Sequence, residues 1–262
     1  MGVVVNTNIS SITASRILSE NRADLEKAME RLASGKRINS AADDAAGMAV
    51  AAKMRADIGS LNQSVRNTND AISLVNTYDG AAQEIESILI RMRELAVQTR
   101  NGTYEEADRT NADYEYTALK NEITRIAGVS AFNRMTVGQG ATTANGTTTS
   151  ADTSFTFYVG SDVAKTGNSI SFSAKALDLN LAVSSSTLNS VVDATSAGQA
   201  IATLDDAITE LAANRAQAGA LINRLEHTVS NLMNVSQRLQ EAVSGIEDAD
   251  YAAETANLAR GM

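Results

Sequence analysis

The sequence contains no proline, no cysteine and no tryptophan. Without proline, nothing in the chain forces a helix to kink or stop, so long uninterrupted helices are permitted. Without cysteine, disulfides, thiolate nucleophiles and Cys-based metal sites are excluded. Aromatic residues make up 4% of the chain, too few for the aromatic walls that line most enzyme pockets. The core therefore has to be built from Leu, Ile, Val, Ala and Met. Positive charge is also short. Lys and Arg number 22 against 31 Asp and Glu, a net charge of −9, which argues against nucleic acid or an anionic membrane as a partner. No apolar run approaches the roughly 18 residues that a membrane helix needs. The opening MGVVVNTNISS lacks the basic start and the roughly 7–15-residue apolar segment of a cleavable signal peptide. Its Met-Gly resembles a myristoylation start, but Asn6 stands where Ser or Thr is needed.

What the chain does have is helical periodicity. A short β-like run, Val3 to Val5, precedes a helical pattern from about Thr13. Ile17, Leu18, Leu25, Met29 and Leu32 form an apolar stripe that Gly35 punctuates. Ser40 and Asp43 stand in cap spacing before the Ala-rich stretch Ala45 to Met54. Leu61, Val65, Ile72, Val75, Ala82, Ile85, Leu89, Met92 and Leu95 then step by three, four or seven, a sustained heptad-like seam. Asn62, Asn67 and Asn69 fall off it and are expected to face outward. The helix ends at Asn101-Gly102, a turn pair that tolerates positive φ. Thr103 with Glu106 has the spacing of a capping box for a second helix, about Tyr104 to Gly128, with Leu119, Ile123 and Ile126 inward. Phe132-Asn133 closes this helical region.

From residue 138 Gly, Thr, Ser and Ala dominate, as in a flexible loop. SFTFYVGS and NSISFSAKAL alternate apolar and polar residues, the pattern of two strands joined by the turn-like DVAKTG. Residues 198–246 return to helix, with a seam from Leu204, Ile208 and Leu211 through Leu225 and Leu232 to Leu239 and Ile246. A helix of some 40 residues, roughly 60 Å long, draws its stability from a partner with a matching seam. That partner is the helix over 61–98. The expected fold class is mainly α: a long antiparallel helical bundle or coiled coil with a small β-hairpin. The termini lie at one end and the hairpin toward the other.

Chemistry is sparse. The sole histidine, His227, stands mid-helix without an acidic partner in triad spacing, as a surface or seam-edge residue does. Asp43-Asp44, Asp205-Asp206 and Glu247-Asp248 are paired acids. Such pairs can work as acid and base or bind metal. Placement near helix starts, where they complement the dipole, accounts for them without chemistry. VGQG does not follow a strand and open a helix, as a phosphate loop must. No catalytic residue, cofactor or metal is expected, and the protein is read as not an enzyme.

Several long motifs carry more than periodicity. NTNISS, RLASGKRINSAADDAAGMAVA, RNTNDAISL, RMRELAVQTRNGT and AFNRM, in this order, resemble bacterial flagellin. LAANRAQAGALINRLEHTVSNLMNVSQRLQEAVSGIEDADYAAETANLAR is similar to the C-terminal half of the same family. The likeness covers nearly everything outside the Gly/Thr-rich loop and corresponds to a short form without outer variable domains. It implies a structural subunit that self-assembles into the flagellar filament for swimming motility. It places residues 1–45 and 247–262 in an inner domain of terminal helices. Residues 46–137 and 198–246 form the helical domain, and 138–197 its loop and hairpin. The terminal segments, 1 to about 44 and 247–262, are expected to be disordered in the monomer and helical in the filament. The family continues past NLAR with a further helix, whereas this sequence stops at Gly261-Met262, so most of that helix is expected to be missing.

The resemblance further implies export without a cleaved signal peptide to an extracellular filament. The partners it implies are other copies of the chain, a flagellar export chaperone, the filament cap and host Toll-like receptor 5. The receptor contacts carry over onto Arg91 and Leu95 in RMRELAVQ and Glu115 in DYEYTAL. Ile90 departs from the polar residue common before that arginine. A hook–filament junction protein is the alternative, and a chemoreceptor-type signalling hairpin a more distant one that the strand pair and Ser/Thr-rich loop disfavour.

Overall fold

The structure, a computed structural model, describes residues 8–138, 153–160, 167–175, 177 and 190–262. The Val3–Val5 run, nearly all of the Gly/Thr-rich stretch and most of the DVAKTG turn lie outside the described residues. The chain divides into two compact units, one of residues 1–62 with 233–262 and the other of residues 63–232. Three helices come first, with ranges that follow from the seams: α1 (Ile9–Ser34), α2 (Ala45–Arg100) and α3 (Glu106–Val129). Four short strands come next, β1 (Ala131–Phe132), β2 (Met135–Thr136), β3 (Thr153–Tyr158) and β4 (Ser169–Ala174). Two further helices, α4 (Ala194–Glu247) and α5 (Tyr251–Gly261), complete the chain. At about 1.5 Å per residue, the 56 residues of α2 make a long helix whose stability comes mostly from packing its apolar face.

In the 63–232 unit that packing makes one large core, with a smaller cluster of Ala71, Val159, Ile170 and Leu225 apart from it. The α2 seam supplies the large side chains Leu74, Val75, Tyr78, Ile85, Leu89 and Met92, all essentially sealed from solvent. From α4 come mostly small ones, Ala197, Ala200, Ala207 and Ala218, with Leu204 and Leu211 between them. Small residues opposite large ones let the two helices approach closely and interdigitate. The pairing is antiparallel, because partner numbers rise on one helix as they fall on the other. Arg93 meets Asp205 at 2.5 Å, while Arg215 meets Asp79 at 2.8 Å and also reaches Glu86. The helix α3 adds Tyr116, Ile123 and Ala127 to the same core.

The β3–β4 pair is an antiparallel hairpin in the register Phe155↔Phe172 and Phe157↔Ile170. Alternation puts Ile170, Phe172 and Ala174 on the buried face. Tyr78 of α2 receives it: its ring meets Phe172 edge-on at 5.4 Å, and its hydroxyl donates to the Lys175 carbonyl at 3.2 Å. Phe132-Asn133 does more than end a helix. Phe132 pairs with Met135 across a two-residue turn in which Asn133 and Arg134 both have positive φ, 49° and 66°. Two such residues match the strand twist of a tight hairpin. The usual Gly is absent, so the sequence shows little sign of the turn.

Three local expectations are corrected. α3 begins at Glu106, with Glu105 at its cap making no side-chain bond, so Thr103 and Glu106 do not form a capping box. The helix starts too late for Glu106 to sit three residues inside it. Glu106 and Asp108 instead place negative charge in the first turn. The Asn101-Gly102 turn needs no positive φ, since among the described residues neither is left-handed. Asn101 N–H donates to the Gln98 carbonyl at 3.1 Å, continuing the helix as a tightened last turn. Asn67 is half-buried rather than outward-facing, and its amide reaches the Tyr158 carbonyl at 3.5 Å.

In the other unit, α1 starts with the Asn8 side chain accepting from Ser11 N–H at 3.1 Å. It ends at Gly35, left-handed at φ 71°, whose N–H caps the Arg31 carbonyl at 2.8 Å. The αL position is where Gly avoids the Cβ clash. Asp250 caps α5 by accepting from Ala252 N–H at 2.9 Å. The segments leaving α1 and α4 are tied by backbone bonds, Arg37 N–H to the Glu247 carbonyl at 2.6 Å and Ala249 N–H to the Gly35 carbonyl at 3.0 Å.

Candidate functional site: the exposed helix faces

The α1 stripe is the first candidate surface. Of its 26 residues only Ala28 is buried. Ile9, Ile12, Ile17, Leu18 and Met29 are all exposed, Ile9 and Leu18 at 70%. The spacing of the stripe suggested a core face; in the structure Ile17, Leu18 and Met29 are exposed, while Leu25 and Leu32 are half-buried. Ile9 and Ile12 extend it beyond the residues singled out from the sequence, and their three-residue spacing in NISSI was the available signal.

α1 is anchored at one end, where the Leu25 side chain lies against Gly261 of α5 and polar contacts join the two helices. Arg31 pairs with Glu254 of α5 at 2.9 Å, and Tyr251 donates its hydroxyl to the Leu32 carbonyl at 3.0 Å. Lys27 meets Asp43 at 3.1 Å. The Asp43 carboxylate also accepts from the Asn39 and Ser40 backbone N–H groups and from the Ser40 hydroxyl. Lys27 first, then the backbone N–H of Ser40, hold the Asp43 carboxyl far below its usual range, against an opposing effect of desolvation. The sign follows directly. A depressed folded pKa stabilises the fold above the unfolded value of about 3.9, and that stability is lost as pH falls below it. Asp43→Asn is expected to melt lower than the parent at neutral pH and to converge with it in strong acid, as thermal unfolding across a pH series will show.

The acid pairs serve structure. Asp44 caps α2 by accepting from Gly47 N–H at 2.8 Å, a helix-start role as expected. Asp205 lies well inside α4 and pairs across to Arg93, and Glu247 ends α4 and pairs with Arg55. Neither of these two pairs sits at a helix start. Their work is cross-helix pairing, which no local pattern announces. His227 is exposed. Among the described residues, no three His, Asp or Glu side chains gather as metal ligands, and no helix is long and apolar enough to cross a membrane.

The second candidate surface lies on α2 and α3. Arg91 donates from Nε to Glu115 at 2.9 Å and from Nη1 to Glu94 at 3.1 Å. Glu115, then Glu94, raise the Arg91 pKa above its ordinary value, so the guanidinium stays charged at any working pH. Arg91 and Glu115 are thus brought together on an exposed surface. Leu95 is not part of that surface: it is 2% exposed, within the core seam. The contact that the resemblance carries over onto Leu95 therefore falls on a buried side chain, as its heptad position requires. The apolar groups that are exposed nearby in sequence are Ile90, Val97 and Tyr114.

A chain of two long seam-packed helices, an uncovered apolar helix face and no assembled catalytic set among the described residues has the character of an assembly subunit. Comparison with known proteins agrees. The model of the bacterial flagellin N-terminal helical region matches residues 5–143, and that of the C-terminal helical region matches residues 201–261. The chain belongs to the bacterial flagellin family. A flagellin of Halalkalibacterium halodurans is 39% identical over 258 residues, covering 98% of this chain and 90% of that protein. The flagellar filament 30.7 kDa core protein of Treponema maltophilum is 36% identical over 255 residues, 96% of this chain and 88% of that protein. The crystal structure of Bacillus cereus flagellin superposes with a TM-score of 0.52 at 34% identity, covering 64% of this chain and 88% of that one. The flagellin family is structural rather than enzymatic, and the chain is a filament subunit.

Proposed function

We propose that the exposed apolar face of α1 is the surface that neighbouring copies cover when the chain assembles into the filament. The observation that carries this is the burial of a single residue, Ala28, along the whole of α1. A helix with that little packing gains its stability from outside the monomer. Before assembly the chain is held by a flagellar export chaperone, and it is placed by the filament cap. The test is electron microscopy of the purified chain concentrated in sulfate, which strengthens apolar burial. Filaments are expected. Sedimentation as a monomer at every concentration would contradict the reading.

A second role is recognition of released monomer by host Toll-like receptor 5, as the family likeness suggests. The paired Arg91 and Glu115 favour it, as a planar many-donor anchor held in place on an exposed surface. Leu95 contributes from beneath, by fixing the packing of α2 under Arg91. In a receptor reporter assay, Arg91→Ala is expected to lower signalling by about tenfold or more, the loss of at least ~1.4 kcal/mol, with circular dichroism unchanged. Leu95→Ala should also lose about 2–5 kcal/mol of stability, which separates its effect from a surface one. A folded Arg91→Ala chain that signals like the parent would remove the site.

A further inference from the structure

The turn between α2 and α3 holds an Asn-Gly pair, Asn101-Gly102. Asn101 and Gly102 are both exposed. We propose that Asn101 is a site of spontaneous deamidation, which converts the α2–α3 turn slowly to a charged and backbone-lengthened form. Three observations bring the reacting groups together. Thr103 N–H donates to Asn101 Oδ1 at 3.4 Å. The ring closed by that bond contains both the electrophile, Asn101 Cγ, and the nucleophile, the Gly102 backbone nitrogen. The same N–H polarises the side-chain carbonyl and faces the oxygen that becomes negative when Cγ is attacked. Among the described residues, the Gly102 N–H has no hydrogen-bond partner, so no bond must break to free it. Nothing lies within 4 Å of the position a Cβ would take at Gly102, so the backbone has room to turn.

The chemistry balances with water as the only co-reactant. The Gly102 nitrogen loses its proton and forms a bond to Asn101 Cγ. The Cγ–Nδ2 bond breaks, and ammonia leaves with that proton, giving a five-membered succinimide. Water then opens the ring at one of two carbonyls. Opening at Cγ leaves an aspartate side chain on the original backbone, and opening at the main-chain carbonyl leaves the isoaspartyl linkage. Either product adds one negative charge at the C-terminal end of α2, where the dipole disfavours it. The isoaspartyl form also inserts a methylene into the main chain. That displaces the Asn101 carbonyl, which now accepts from Tyr104 N–H and from Arg109 Nη2, each at 3.4 Å. The turn therefore loosens with the age of the protein.

The folded chain is to be incubated at neutral and mildly alkaline pH, then digested and mapped by mass spectrometry with an isoaspartyl-specific methyltransferase. The product at residue 101 is expected to accumulate several-fold faster than at Asn62, Asn67 or Asn231, and faster as pH rises. Gly102→Ala should slow it several-fold, and Asn101→Gln should abolish the charge gain with helicity retained. A rate at Asn101 no greater than at those helical asparagines, or equal in the Gly102→Ala chain, would overturn the proposal. Asn145, which is also followed by glycine, provides the internal measure of an Asn-Gly pair in this sequence. Reaction there with none at Asn101 would likewise overturn it.

Discussion

Leu89→Asp is expected to unfold the helical core of residues 63–232. Leu89 has no exposed surface and stands in the middle of the α2 seam. Truncating a buried Leu costs about 2–5 kcal/mol. An unpaired carboxylate among apolar side chains adds several more or forces the group to take up a proton. Against a total of about 5–15 kcal/mol for a typical domain, that is enough to remove the cooperative transition. Leu225→Asp, equally sealed and packed with Ala71, Val159 and Ile170, is expected to behave alike. Ile90→Asp is the control, one residue away but 46% exposed, and should shift stability by no more than about 0.5 kcal/mol. Thermal unfolding followed by circular dichroism will distinguish them. A native melt for both buried variants would mean that the seam faces elsewhere.

Leu18→Asp is expected to leave the monomer untouched and to abolish assembly. Leu18 is 70% exposed on α1, so the monomer has nothing to lose beyond about 0.5 kcal/mol. On the proposal that neighbouring copies cover α1, the same side chain is buried in the filament and the carboxylate is trapped unpaired. Every ~1.4 kcal/mol is tenfold in association, and a filament repeats the cost at each subunit added. A rise in critical concentration on the order of a hundredfold or more is the expected reading from pelleting assays. Normal filaments from Leu18→Asp would show that α1 faces solvent in the assembly too.

These two substitutions divide what was legible in the sequence from what was not. The α2 and α4 seams were readable because Leu, Ile and Val recur at helical spacing over many turns, and Leu89, Leu204, Leu211 and Leu225 are all buried as that spacing requires. The β3–β4 pair was readable from alternation. The β1–β2 hairpin was not, because two residues a side carry no period and Asn133-Arg134 lacks the usual glycine. The α1 stripe was visible as apolar, yet its pattern is the same whether its cover comes from its own chain or another. Leu95 shows the reverse case. Its motif suggested a surface role, while its heptad position, which says inward, was the better guide to where it lies. Asp205, Glu247 and Arg215 find partners more than a hundred residues away, and nothing local announces such pairs.

The central claim, made as a proposal, is that the exposed apolar face of α1 is covered by other copies of the chain. Amide hydrogen exchange read on Ile17 to Leu32 tests it most directly, in dilute monomer and in pelleted filaments. Rapid exchange is expected in the monomer, where one buried alanine cannot hold the helix closed, and strong protection in the filament. Strong protection of these amides in dilute monomer would contradict it.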